Sequence, residues 1–453
     1  MSPPGGQPAT SLPGAPTLLA GALGAAVVIW ALVVLMRRRP EALPLLAILA
    51  LPFRLPIAAD GRTVNLLIPL YLVIAAGTIA RLIPRLWAAR TATERRPGSG
   101  GDPAVRYVPW LLLAAVLLYT LQTAYSDDRA KALENIAVFY VPFGLLFLLL
   151  REVDWTARLL RRCLGLVVVL AVLFAGVGFV EYARKSLFLN PKVVEANQYD
   201  NYFRVNSVFF DPSIYGRFLA LVMIAVTTAV LWGSRRTAQI GALVLGWLLA
   251  GLVTSFSQSS IAALLLGLAV LAAYRWDLRR TLLVSVAILA LGGAVILLAP
   301  TSFHFGLKGS KGSATNATSG RAGLVTGGLE LFAERPLQGY GSGSFETQYK
   351  AHAASSRATA QNATSASHTI PVTVAAEQGI LGVALYVALL VTALLALFNG
   401  AGRSPPRIAV ASAFAALVLH TWTYADFLED PFTWALLGIG LALARGRPDR
   451  AGQ

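Results

Sequence analysis

The side chains in this chain best suited to chemistry are a histidine and a few arginines, set in long connections between apolar runs. His368, in Ser365-Ala-Ser-His-Thr-Ile-Pro371, stands where a connection re-enters an apolar run, with Glu377 about two and a half helical turns further on. Imidazole titrates near 6.5, which suits His368 to take a proton from a hydroxyl at neutral pH; a histidine that only caps the helix is the plainer alternative. Arg204 lies in Tyr202-Phe-Arg-Val-Asn-Ser-Val-Phe-Phe-Asp-Pro-Ser213, just before an apolar run whose N-cap reads as Asp211 with Pro212 at the first helical position, and Arg321 lies in Ser319-Gly-Arg-Ala-Gly-Leu-Val. Guanidinium presents a fixed fork of donors that matches phosphate oxygens, and Arg217, Lys192, Lys308 and Lys311 add positive field; the alternative is solvated charge or pairing with lipid headgroups.

Three glycines, Gly339, Gly341 and Gly343, punctuate Leu337 to Phe345. They allow a tight turn and close approach of a ligand, or simply an ordinary turn. Asp127 and Asp128 read as N-capping residues, with a divalent-metal pair as the lesser alternative, and Asp426, Glu429 and Asp430 either end two helices or pair with loop arginines. No spacing reads as a metal site, and the single cysteine, Cys163, leaves no disulfide or thiol pair.

The elements that must position these residues are membrane helices. Hydrophobic residues make up 56% of the 453 positions and charged residues 13%, too little polar surface for a soluble fold. Apolar runs predict helices near 17–36, 42–59, 64–83, 107–125, 133–150, 163–183, 213–232, 238–254, 259–274, 281–299, 371–397, 408–424 and 431–444, and the prolines in the second leave a broken or re-entrant segment as its alternative. The fold class expected is therefore all-α: a polytopic transmembrane bundle of about 12–13 helices. Residues 1–16 lack the basic region of a cleavable signal, so the first helix is expected to be retained.

The net charge of +16 is a topology signal rather than a mark of nucleic-acid binding. Of the 38 Lys and Arg residues, 23 fall in alternate short connections, which places those connections and the tail 445–453 in the cytoplasm and the N-terminal tail outside. The organisation expected is helices over 17–183, an extracytoplasmic loop at 184–212, helices over 213–299, a large extracytoplasmic loop at 300–370 and helices over 371–444. A loop of that size needs structure or function of its own. Leu324, Val325, Leu329 and Phe332 at helical spacing, stopped by Pro336, predict a helix in it that begins near Arg321.

Several of these segments, in order, resemble the O-antigen ligase and polymerase superfamily of bacterial envelope glycosyltransferases, most strongly from Arg204 to Leu397. They are Arg204 with Phe210-Asp-Pro-Ser213, Ser255-Phe-Ser-Gln-Ser259, Gly320-Arg321, Glu334-Arg-Pro-Leu-Gln-Gly-Tyr-Gly-Ser-Gly-Ser-Phe345, Ser367-His368 and Ala376-Glu-Gln-Gly-Ile-Leu-Gly382. The resemblance implies a GT-C-like bundle in the bacterial inner membrane and a site on its extracytoplasmic face. It implies a donor glycan carried on polyprenyl diphosphate, a glycan or glycolipid acceptor, and no metal, nucleotide or other cofactor. His368 is then the catalytic base, Arg204, Arg321 and Arg217 bind diphosphate, and Glu377, Gly341 and Gly343 support them. Where the family has Ser-Arg this chain has Ser257-Gln258, one positive charge fewer, and its first helix is additional to the family's usual twelve. The resemblance leaves ligase and polymerase open. A transporter or flippase of lipid-linked saccharides is the alternative of another class, and it requires interrupted helices with charge at the midplane.

Overall fold

The computed structural model describes residues 15–59, 62–91, 102–188, 203–276, 279, 280, 283, 313–355, 367, 369–424 and 426–445. Their regular elements are helices apart from one short hairpin, and they divide into a unit within Met1–Arg96 and a larger one within Pro97–Gln453. Among the described residues, nine helices are long and apolar enough to cross a membrane.

The first unit holds α1 (Ala15–Arg38), α2 (Ala42–Ala50), strands β1 (Leu55–Ala59) and β2 (Arg62–Leu66), α3 (Ile68–Gly77) and, through a π-turn at Thr78–Leu82, α4 (Ile83–Thr91). The helix expected over 42–59 stops at Ala50. Pro52 and Pro56 remove amide donors where the helix would continue, and the chain turns instead into an antiparallel hairpin that pairs Leu55 with Leu66 and Ala59 with Arg62.

The second unit contains α5 (Pro103–Gln122), α6 (Arg129–Asn135), α7 (Val141–Arg151), α8 (Ala157–Arg184), α9 (Pro212–Trp232), α10 (Arg235–Thr254), α11 (Gln258–Arg275), α12 (Ser313–Glu334), α13 (Phe345–Ser355), α14 (Ile370–Phe398), α15 (Pro405–Thr423) and α16 (Pro431–Arg445). A π-turn at Ile136–Tyr140 joins α6 to α7, so the two run on as one candidate span. α9 is the central element: 72% of its spanning window is buried, against 22% for α10, and it packs on α8, α10, α11 and α15. Its start is set locally, as the sequence indicates. Asp211 Oδ1 accepts the amides of Ser213 (2.6 Å) and Ile214 (3.3 Å), and Pro212 fills the first helical position, where no amide is needed. The span expected at 281–299 lies outside the described residues, Leu283 aside.

Two features depart from simple periodicity. α12 ends just before Pro336 as expected, but it turns Leu324, Gly327, Gly328 and Leu331 inward while Leu329 is 49% exposed. Glycine makes this face: a Cβ on Gly328 would lie 2.5 Å from Val372 Cγ1, and one on Gly327 2.6 Å from a Tyr349 ring carbon. α14 is broken at Gly379, whose φ of 63° and ψ of −161° are non-helical.

The break in α14 is filled by the turn 336–343. Ile380 donates to the Pro336 carbonyl (2.8 Å), Tyr340 to the Ala376 carbonyl (3.0 Å) and Gly341 to the Glu377 carbonyl (2.8 Å). A Cβ on Gly379 would sit 2.4 Å from the Leu337 carbonyl oxygen, and one on Gly339 2.3 Å from that of Glu377. Gly379→Ala should therefore lower stability by at least about 3 kcal/mol, since it adds both a forbidden backbone conformation and overpacking. Gly165→Ala, inside α8 and with a Cβ that would meet nothing within 4 Å, should not lower stability and should raise it by up to about 1 kcal/mol. Thermal unfolding of the two variants in detergent reads the difference; equal midpoints would mean that the backbones do not approach as described.

Candidate functional site

Arg204 belongs to an extended segment, residues 203–206, that lies against the end of α10. Its Nε donates to the Ser255 carbonyl (3.2 Å), and the next residue, Val205, donates its amide to the Thr254 carbonyl (3.2 Å). The segment is anchored by Val205 and Phe209, both buried, with the Phe209 ring among those of Phe174, Tyr215 and Phe218. Ser255-Phe-Ser-Gln-Ser259 forms the junction between α10 and α11, where Ser257 Oγ caps α11 by accepting the Ser260 amide (3.3 Å). Two motifs 51 residues apart thus meet through one arginine.

Glu377, Gly341 and Gly343 also come together. Glu377 Oε2 accepts the Gly343 amide (2.9 Å) and Oε1 the Phe345 amide (3.1 Å), which puts a carboxylate at the start of α13, where the helix dipole favours negative charge. The glycines serve close approach, but of protein to protein. A Cβ on Gly341 would lie 2.4 Å from Ser126 Cα, and one on Gly343 3.0 Å from the Ala132 amide nitrogen. Ser126 Oγ donates to the Ser342 carbonyl (2.7 Å), while Gln122 Nε2 reaches the carbonyls of Gln378 (3.2 Å) and Gln338 (3.4 Å). Asp128 caps α6 as expected, through the Lys131 amide (3.0 Å). Asp127 and Asp128 also accept from Gln348 (2.8 Å) and Thr347 (3.1 Å) and so hold α13.

Arg217 is placed inside the bundle rather than facing solvent. It is 1% exposed, with Nη2 2.8 Å from Oδ2 of the fully buried Asp430. This pair ties α9 to the start of α16, where Asp430 Oδ1 also accepts the Phe432 amide (3.0 Å). The charge expected to add field at a diphosphate is matched internally by Asp430. Beside it, buried His420 lies within 3.2 Å of Ser260 Oγ and 3.4 Å of Ser259 Oγ, joining α15 to α11. Glu429, in the turn between α15 and α16, accepts from Asn135 Nδ2 (3.0 Å); burial first, and then the neighbouring Asp426, push its carboxyl up to about 8.

Arg321 falls within α12, where only the backbone is described, and His368 lies outside the described residues; the residue before it, Ser367, is buried. Motif reading passes over Glu181, His420 and Gln122. The signal that marks the first two is an ionisable residue within an apolar run, which in a membrane helix is costly and calls for a named partner. Residues 242–387 match the protein-family model described as O-Antigen ligase. That stretch includes Ser255 to Ser259, Arg321, Gly339 to Gly343, His368 and Glu377, while Arg204 and Arg217 precede it. No curated protein matches the chain.

Two predictions follow from the buried charges. Asp430→Asn strands the Arg217 charge and should destabilise by about 3–5 kcal/mol, whereas Arg217→Met combined with Asp430→Asn should recover most of that loss in thermal unfolding. Glu429 binds its proton more tightly folded than unfolded. Its contribution is thus complete below its ordinary value of 4.5 and is lost as pH rises through about 8. Between about pH 6 and pH 9 the thermal midpoint of the wild type should fall more than that of Glu429→Gln; parallel curves would refute the raised value.

Proposed function

We propose, from the premise that residues 242–387 form an O-antigen ligase family domain, that this protein is a membrane glycosyltransferase that moves a glycan from a polyprenyl diphosphate carrier to an acceptor hydroxyl. The observation that carries the reading is the family match itself, because it includes both Arg321 and His368. The site lies on the extracytoplasmic face of the cytoplasmic membrane, formed from the loops 184–212 and 300–370 between helices at 17–183, 213–299 and 371–444. The C-terminus is cytoplasmic; the asymmetry of basic residues supports this orientation.

In this scheme Arg204 and Arg321 hold the diphosphate of the donor. His368 takes the proton of the acceptor hydroxyl, and the oxygen attacks the anomeric carbon with inversion. The bond from that carbon to the diphosphate oxygen breaks, and polyprenyl diphosphate leaves with the electron pair. Diphosphate is already a good leaving group, so fixed cations that meet the charge growing on it lower the barrier more than a proton donor would. Arginine supplies those cations without a metal. The pinning of Arg204 Nε to the Ser255 carbonyl supports its place in the scheme, because it fixes the plane of the guanidinium before substrate binds. Glu377 supports the site by fixing the start of α13. Arg217, matched by Asp430, acts by holding α9 to α16 rather than as a diphosphate ligand.

A transporter would use an interrupted helix as a moving binding element. The interruption at Gly379 is filled by the turn 336–343 and by Gln122, which favours a rigid scaffold and an enzyme.

The test is transfer from a defined polyprenyl diphosphate-linked oligosaccharide by purified protein in the presence of chelator. His368→Ala should cost on the order of a hundredfold or more in rate, and Arg321→Ala should impair both donor binding and turnover. Transfer to a lipid-anchored core would mark a ligase, and transfer to another lipid-linked glycan a polymerase. Wild-type rates in both variants would overturn the site. Lipid movement across proteoliposomes without transfer would replace the enzyme with a transporter.

A further inference from the structure

We propose that Glu181 is a positioning residue for Arg204: its buried carboxylate holds the backbone turn at Asn206-Ser207 that sets Arg204 against the end of α10. The proposal rests on the reading of Arg204 as a donor-diphosphate ligand.

Glu181 is out of place by every local criterion. It sits in the last turn of α8, where the helix dipole disfavours negative charge, and it is 0% exposed, where a carboxylate without partners is costly. Its role therefore lies outside its own helix. Oε2 accepts the Ser207 amide at 2.7 Å and Oε1 the Phe188 amide at 3.0 Å, and the Asn206 amide also faces the carboxylate. These are charge-assisted bonds, about twice as strong as neutral ones.

The turn they hold needs holding. Ser207 has φ of 53°, a left-handed conformation that a residue with a Cβ adopts only when its surroundings over-determine it. Two bonds do so here: its amide to Glu181, and its Oγ to the Phe174 carbonyl (2.8 Å), both from α8. Just before the turn, Val205 and Arg204 bond the carbonyls of Thr254 and Ser255. The arginine segment is thus stretched between α8 and the end of α10, and Glu181 is its fixing on the α8 side. Gly178, one turn earlier, provides the room: a Cβ there would meet Tyr215 Oη at 2.9 Å and Val205 Cγ2 at 3.4 Å.

A residue that acts only through Arg204 loses its effect when Arg204 is gone. The experiment is a double-mutant cycle in the full-length protein, with wild type, Glu181→Gln, Arg204→Ala and the double variant, reading kcat, donor KM and acceptor KM together with the thermal midpoint. Glu181→Gln keeps the shape but replaces one acceptor oxygen with a donor. It should raise donor KM and lower kcat, so that kcat over donor KM falls by about tenfold while acceptor KM stays within about twofold, and it should add nothing in the Arg204→Ala background. If Glu181→Gln does not yield folded protein, Ser207→Ala, which loosens the same turn from the Phe174 side, carries the same prediction at a few-fold size. An equal loss of kcat over donor KM in both backgrounds, or a changed acceptor KM with donor kinetics unchanged, would overturn the proposal alone. If Arg204→Ala leaves donor KM at the wild-type value, the diphosphate reading of Arg204 falls, and the role of Glu181 falls with it.

Discussion

The site depends on one reciprocal backbone contact, in which the broken middle of α14 and the glycine turn after α12 complete each other's hydrogen bonding. A helix interrupted at Gly379 strands carbonyls and amides that hydrocarbon cannot satisfy. The turn at 336–343 has the same problem, and the two solve it jointly through Ile380 with Pro336, Tyr340 with Ala376 and Gly341 with Glu377. Gln122 and Tyr125 then cap what remains, at the carbonyls of Gln338 and Gln378. Every described element near the start of α13 takes its position from this contact: Glu377 is aimed by the break, and Asp127 and Asp128 reach Gln348 and Thr347 because Ser126 is pressed onto Gly341.

Buried charge divides the labour in the rest of the bundle. Arg217 with Asp430 and His420 with Ser259 and Ser260 join helices that are distant in sequence, and they do so deep inside the bundle, where such pairs are weak as net stabilisers but costly to break. They fix which helix meets which. Arg204 is half-buried, and its Nε is bonded to the main-chain carbonyl of Ser255 at the end of α10.

What could be read from the residues was what is decided locally. The start of α9 at Asp211-Pro212, the cap at Asp128 and the stop before Pro336 each depend on a few neighbours, and each stands as the sequence indicates. Apolar pattern runs through 42–59, but the prolines in it leave a break open, and the helix does stop at Ala50, where Pro52 and Pro56 supply no amide to continue it. In α12 the apolar spacing holds for Leu324, which is buried, but not for Leu329, which is exposed while Leu331, Gly327 and Gly328 complete the packed face. The partner of Arg217 lies more than two hundred residues away, and nothing near either residue marks the pairing. Glycines read as room for a ligand proved to be room for Ser126 and Ala132, because spacing shows that a backbone must be approached but not by what.

The lock around Gly379 also bears on how the protein is made. Its parts are 216 and 256 residues apart in the pairs Ser126 with Ser342 and Gln122 with Gln378, and the chain emerges N-terminus first. Gln122 and Ser126 are synthesised before the turn at 336–343, and that turn before α14. The most vulnerable helix, interrupted within an apolar stretch, is thus the last of the three to emerge, and the groups that satisfy its exposed carbonyls already exist when it enters the bilayer. Reordering these segments, as a circular permutation between them would, reverses that sequence and leaves the break to face lipid before its partners exist.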